Sequence, residues 1–187
     1  MKNIFVDIEC YKNFFYVGFK RQEDGKRVGV EFSERTNFTY DREKVWRLLR
    51  KYKSVAFNSL SYDIPMLILS MQDDITLEQL KRASDRIIKG KIPWWDVEEA
   101  LGIEIPNWLK KRYIDLIEPQ PNAFASLKTL NGRMHGKQLQ DLPYPENTIL
   151  THEQMDVVAD YCLHVDLDAT HSLFDTLEIF LSVLPIL

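Results

Sequence analysis

The stretch Ile4-Phe5-Val6-Asp7-Ile8-Glu9 lies near the start of the chain and predicts the first strand of a sheet. Side chains alternate between the two faces of a β-strand, so Asp7 and Glu9 share one face and Val6 and Ile8 the other. Two adjacent carboxylates repel each other, and a divalent cation with oxygen ligands is the usual partner that offsets this repulsion. The alternative is the solvated face of an edge strand, which needs no such partner.

The patterns that follow predict three antiparallel strands and then helices and strands in alternation. Asp41, Thr76 and a capping box that begins at Thr151 mark helix starts, and Gly90 marks a helix end. We therefore predict an α/β fold. Its strands are expected at residues 3–9, 14–20, 27–32, 54–58 and 112–117, and its helices at 41–52, 63–71, 76–89, 124–130 and from 151 onwards.

Two further acids occupy positions that suggest a shared site. Asp63 follows the predicted strand at residues 54–58, in a turn that opens a helix. An Asp at a helix start can also cap backbone N–H groups, so an N-cap is the alternative role for this residue. Asp166 lies on the final helix, where an inward-facing acid on an otherwise apolar face needs a partner.

Three motifs are built on these acids: Asp7-x-Glu9, Asn58-x-x-x-Tyr62-Asp63, and the block from Tyr161-Cys162 through Asp166-Leu167-Asp168-Ala169-Thr170. They resemble the motifs of the DEDD superfamily of 3′→5′ exonucleases, in particular its DnaQ-like, tyrosine-type branch. The segments at residues 113–117, 125–128, 132–135 and 140–144 are similar to the proofreading exonuclease part of bacteriophage DNA polymerases. The order and spacing of the motifs, from about residue 2 to about residue 175, are more specific than any single motif. The resemblance implies a ribonuclease H-like fold, with a mixed five-stranded sheet and helices on both faces.

The same resemblance implies phosphodiester hydrolysis that depends on two divalent cations, Mg²⁺ or Mn²⁺. Asp7 would bridge both ions, Glu9 and Asp166 would help to hold the ion that activates water, and Asp63 would support the other. The expected substrate is the 3′ end of single-stranded or frayed DNA, and the expected products are nucleoside 5′-monophosphates. Residues expected to bind the end of the substrate are Asn58, Leu60, Tyr62 and Lys128.

The spacing before the last acid departs from the tyrosine-type motif, in which a tyrosine precedes the last Asp by four residues. Tyr161 precedes Asp166 by five, an angular offset of about 140° on a regular α-helix. A π-bulge would absorb the extra residue and return Tyr161 to the site, where it would orient the attacking water or take its proton. Alternatively, Asp168 is the last acid, and His164, four residues before it, replaces the tyrosine. We favour the π-bulge because the block fits the family better with Asp166 as the ligand.

Composition narrows the class of protein. The chain has 187 residues, of which 45% are hydrophobic and 28% charged, and this suits one domain over residues 1–187. Its net charge of −4 argues against a broadly basic protein that coats nucleic acid. Two cysteines are too few for a disulfide framework, and we find no signal peptide and no apolar run that could span a bilayer. We expect a cytoplasmic protein, in the bacterial host cell if the chain is phage-encoded. The apolar tail at residues 180–187 leaves three alternatives open. The chain is a freestanding exonuclease, or a segment of a longer polymerase, or its tail docks on a partner such as a DNA polymerase domain or a replication protein.

Two other functions share parts of this interpretation. An exoribonuclease of the same superfamily would use the same acids, and a catalytically impaired nucleic-acid-binding module would explain a displaced Tyr161. Trp94, Trp95 and Trp108 flank a proline-containing insertion. We expect them to close a small core rather than to stack on bases.

Overall fold

The fold is described by a computed structural model for residues 1–117, 127, 129 and 142–183. The strands are β1 (Asn3–Tyr11), β2 (Phe14–Arg21), β3 (Arg27–Ser33), β4 (Lys53–Ala56) and β5 (Tyr113–Asp115). The helices are α1 (Arg42–Lys51), α2 (Asp63–Ser70), α3 (Leu77–Gly90), α4 (Val97–Leu101), α5 (Asn107–Lys110), α6 (His152–Tyr161) and α7 (Leu167–Val183). A 3₁₀ turn at Glu34–Thr36 follows β3, and a π-helical turn at Cys162–Asp166 joins α6 to α7.

The strands form one mixed sheet in the order β3-β2-β1-β4-β5. β1, β2 and β3 are antiparallel, whereas β4 and β5 run parallel to β1. β1 and β2 are buried along nearly their whole length, because they carry apolar side chains on both faces of the sheet. The predicted α/β class with a five-stranded mixed sheet is confirmed.

Helices cover both faces of this sheet. On one face Val6 and Ile8 belong to a core cluster with residues of α1, α2 and α3. On the other face Phe5 packs with Leu167 and Phe174 of α7, and its ring lies 5.7 Å from that of Phe174. β1 therefore lies between two layers, and the polar side chains on it lose much of their contact with water.

Most element boundaries agree with the sequence patterns. Asp41 caps α1, and capping boxes at Thr76 and Thr151 open α3 and α6. β4 ends at Ala56 rather than at the predicted Asn58, because Asn58 has a left-handed φ of 55° that breaks the extended backbone. The predicted stop at Gly90 is wrong by one residue, since Lys91 takes the left-handed cap position with a φ of 47°. The helix predicted at residues 124–130 lies largely outside the described residues.

The tryptophans divide into two pairs. Trp108 is partly buried against the main core, with its ring 5.7 Å from that of Trp46, as expected. The expectation of a small core is wrong for Trp94 and Trp95, which are 53% and 66% exposed. Among the described residues, we find no helix with both the length and the apolar character needed to cross a membrane.

Candidate metal centre

Three carboxylates from distant parts of the chain converge beside the central strand. Asp7 and Glu9 come from β1, and Asp166 is the last residue of the π-helical turn. Each offers an oxygen atom, and these atoms lie within 4.8 Å of one another. A cavity of about 210 Å³ opens over the three acids. We call this group the acid triad.

The triad does not belong to an exposed edge. β1 is an inner strand that pairs with β2 along its length and with β4 as far as Phe5, and Glu9 is buried beyond that point. The alternative of a solvated edge strand is therefore wrong. The predicted alternation is correct, because Val6 and Ile8 point into the opposite core cluster.

Burial and mutual repulsion dominate the electrostatics of the triad. Burial raises the pKa of Asp7 to about 6, although hydrogen bonds from the Cys162 thiol and the Ile8 amide reduce the shift. Burial and the negative charges of Asp7 and Asp166 raise the pKa of Glu9 well above its ordinary range. Carboxylates held together in this way favour either protons or a cation, and a hard divalent ion matches a site made only of oxygen donors.

Asp63 lies beside the triad but not within it. It is the first residue of α2, and the capping position belongs to Tyr62, so the predicted alternative of an N-cap is wrong. Asp63 is buried, and burial together with the charges of Asp7 and Asp115 raises its pKa well above the ordinary value. It therefore interacts electrostatically with Asp7 without joining the group of oxygens within 4.8 Å.

The π-helical turn brings Tyr161 and Asp166 together. Within this turn the Leu167 amide bonds to the Cys162 carbonyl, five residues back, so one extra residue is accommodated. Tyr161 is buried and its side chain hydrogen-bonds that of Asp166. Burial and the charge of Asp166 raise the pKa of Tyr161. The π-bulge expected from the sequence is confirmed, while the catalytic role of Tyr161 stays a prediction.

The alternative pair, Asp168 and His164, is turned away from the triad. Asp168 accepts charged hydrogen bonds from Lys20 at 2.7 Å and Arg27 at 2.5 Å. His164 is exposed, and its Nδ1 lies 2.8 Å from a carboxylate oxygen of Asp160. Asp168 thus connects α7 to β2 and β3.

Arg27 also supports the π-helical turn directly. Its Nε donates a hydrogen bond of 2.8 Å to the backbone carbonyl of Leu163, inside the turn. A π-bulge disturbs the regular helical hydrogen bonds, so a side-chain donor that reaches one of its carbonyls stabilises it. Sequence reasoning missed this role, because nothing in the local pattern at Arg27 indicates a contact 136 residues away.

Cys162 and Gly18 set how closely the turn approaches the sheet. The Cys162 Sγ lies 3.4 Å from a carboxylate oxygen of Asp7 and donates to it. Gly18 pairs with Asp7 across β1 and β2, and a Cβ at Gly18 would lie 2.6 Å from the Cys162 Sγ. A larger residue at position 18 would push the turn, and with it Asp166, away from β1.

The residues expected at the substrate lie around the loop between β4 and α2. Tyr62 lines the cavity over the triad, and its hydroxyl lies 2.8 Å from that of Ser84. The Asn58 side chain is exposed and Leu60 is half-buried. Lys128 lies outside the described residues.

Asp115, at the end of β5, holds that loop and was missed as a site-related residue. One carboxylate oxygen accepts the N–H groups of Asn58 at 2.6 Å and Ile117 at 3.1 Å. The other accepts the Leu60 N–H and the Tyr113 hydroxyl, both at 3.3 Å. The available signal was an acid inside the predicted strand at residues 112–117, which follows a predicted strand that ends at Asn58.

Comparisons of this chain with protein-family models, with curated proteins and with solved structures found no match.

Proposed function

We propose that this protein is a metal-dependent 3′→5′ exonuclease with a ribonuclease H-like fold. It hydrolyses single-stranded or frayed DNA ends and releases nucleoside 5′-monophosphates. The observation that carries the proposal is the convergence of Asp7, Glu9 and Asp166 around Tyr161, with a π-helical turn that compensates the unusual motif spacing. The sheet order β3-β2-β1-β4-β5, with three antiparallel strands first, supports the fold assignment.

The donor set of the triad fits divalent cations. Its oxygen atoms are close enough to share an ion. Burial raises the pKa of Asp7, and burial together with the charges of Asp7 and Asp166 raises the pKa of Glu9, so a bound cation would offset the cost of ionising both groups. Asp7, Glu9 and Asp166 would hold one Mg²⁺ or Mn²⁺, and Asp63, next to Asp7, would support a second. Bound cations would supply an activated water and would neutralise charge on the scissile phosphate.

The remaining side chains position the reactants. Because its pKa is raised, the Tyr161 hydroxyl keeps its proton at neutral pH. Its task is therefore to orient the attacking water by hydrogen bonding rather than to remove a proton. The Cys162 thiol donates to Asp7 and restricts the direction of that carboxylate. Tyr62, on the wall of the cavity, would contact the terminal nucleotide.

The test is degradation of a 5′-labelled single-stranded DNA, with a matched RNA, in Mg²⁺, in Mn²⁺ or in EDTA. We expect a ladder that shortens from the 3′ end, requires the metal and disappears in Asp7→Asn. Asp156→Asn is the matched control, because this acid lies on the exposed face of α6. Preferential cleavage of the RNA would instead establish the exoribonuclease. Binding of DNA without cleavage under any metal would overturn the enzyme proposal in favour of a binding module.

A further inference from the structure

Large apolar side chains are exposed at the end of α3 and in the segment that follows it. Ile88 is 46% exposed, and Trp94 and Trp95 are 53% and 66% exposed. The two indole rings lie edge to face with centroids 5.7 Å apart. Two large exposed rings in contact with each other are unusual on a protein surface and point to a binding partner.

This end of α3 is continuous with the candidate metal centre. Lys81, Ser84 and Ile88 are spaced so that they share one face of the helix, and all three line the cavity that contains the acid triad. From Lys81 to Ile88 the helix rises by about 10 Å. α3 therefore forms a wall that leads from the acids to its exposed end.

The charge of this segment is opposite to that of the triad. Residues 85–96 contain three basic residues, Arg86, Lys89 and Lys91, and two acids, Asp85 and Asp96, so the segment is positive on balance in a chain whose net charge is −4. Lys89 shares Asp85 with Lys81, but its side chain is still 59% exposed. Exposed aromatic rings next to cations are the combination that binds single-stranded nucleic acid, since bases stack on the rings and cations attract the phosphates.

We propose that one surface of the protein binds the nucleotides upstream of the 3′ end whose last phosphodiester lies at the acid triad. This surface, here called the tryptophan surface, consists of Ile88, Lys89, Lys91, Trp94 and Trp95. This inference rests on the proposed exonuclease function and specifies how it holds its substrate. Stacking does not depend on base identity, so the surface binds single strands of any sequence. A duplex keeps its bases stacked inside and is bound more weakly.

The test measures binding separately from cleavage. Fluorescence anisotropy in EDTA and low salt follows two 5′-labelled oligothymidylates, one of twelve nucleotides and one of three. For Trp94→Ala/Trp95→Ala we expect the affinity for the longer strand to fall at least about tenfold. The shorter strand, which occupies only the acid cavity, changes little. Trp108→Phe is the matched control, because this ring packs against the core.

A second readout is tryptophan emission. Titration with the longer strand should quench the wild type, and the quench should be lost in the double variant. Equal affinity of wild type and double variant for the longer strand would overturn the surface proposal, whatever the nuclease assay shows, and would point to a protein partner for the exposed rings. If the wild type does not cleave DNA but the double variant still loses affinity for the longer strand, the tryptophan surface is supported and the proposed exonuclease function fails. Thermal melting of both variants identifies any loss of folding.

Discussion

Asp115 offers the sharpest test of how the fold supports the site. Its buried carboxylate ties the ends of β4 and β5 together by accepting backbone N–H groups of Asn58, Leu60 and Ile117. The loop it holds leads directly to Asp63, the first residue of α2. Replacing Asp115 with Asn keeps the shape of the side chain and exchanges one acceptor oxygen for a donor.

The size of the effect follows from the hydrogen bonds. In Asp115→Asn the remaining oxygen still accepts the Asn58 and Ile117 N–H groups, but an NH₂ group faces the Leu60 N–H. The Leu60 N–H is then left without an acceptor in a buried site, and the negative charge that strengthened the other hydrogen bonds is lost. Together these two effects should lower the free energy of unfolding by about 2 kcal/mol. For a chain of this length the melting temperature should fall by about 4–8 °C.

The assay combines thermal unfolding with DNA degradation under saturating Mg²⁺. We expect the exonuclease rate to fall by about tenfold or more, because small displacements of a loop beside reacting groups are costly. Asp156→Asn is the control, since it removes only a surface pair with Arg35 worth about 0–1 kcal/mol. An Asp115→Asn variant with unchanged melting temperature and rate would refute the role assigned to this carboxylate.

Three further predictions concern the triad and the π-helical turn. In the metal-free protein, burial raises the pKa of Asp7 from 3.8 to about 6. The folded state therefore binds this proton more tightly than the unfolded state, and the free energy of unfolding should fall as the pH rises between these two values. Urea unfolding at a series of pH values should show this loss of stability. Mg²⁺ at neutral pH, or the Asp7→Asn substitution, should make the loss smaller. A free energy of unfolding that does not change with pH in the wild type would contradict the raised pKa of Asp7. Tyr161→Phe should lower the exonuclease kcat by about a hundredfold with little change in KM, because only the orienting hydroxyl is lost; an unchanged kcat would exclude that role. Arg27→Gln should lower the free energy of unfolding by about 1–3 kcal/mol and reduce activity by loosening the turn, whereas Arg82→Gln, in an exposed pair, should do neither.

Short-range patterns in the sequence predicted many of the elements of the fold and part of the candidate site. Alternation with period two put Asp7 and Glu9 on one face of β1, and side-chain caps located the starts of α1, α3 and α6. The five-residue spacing of Tyr161 and Asp166 pointed to the π-bulge only through the resemblance to the tyrosine-type motif, in which the spacing is four. These features depend on neighbours within a few residues, so they are visible without knowledge of the fold.

Contacts between distant segments decided the rest. The choice between Asp166 and Asp168 depends on Lys20 and Arg27, which come from β2 and β3 and draw Asp168 away from the triad. The role of Asp115 depends on backbone groups 55 and 57 residues away. Which tryptophans are exposed likewise depends on which elements pack over them. Such pairings arise from packing and hydrogen bonding across the sheet, and no local period in the chain encodes them.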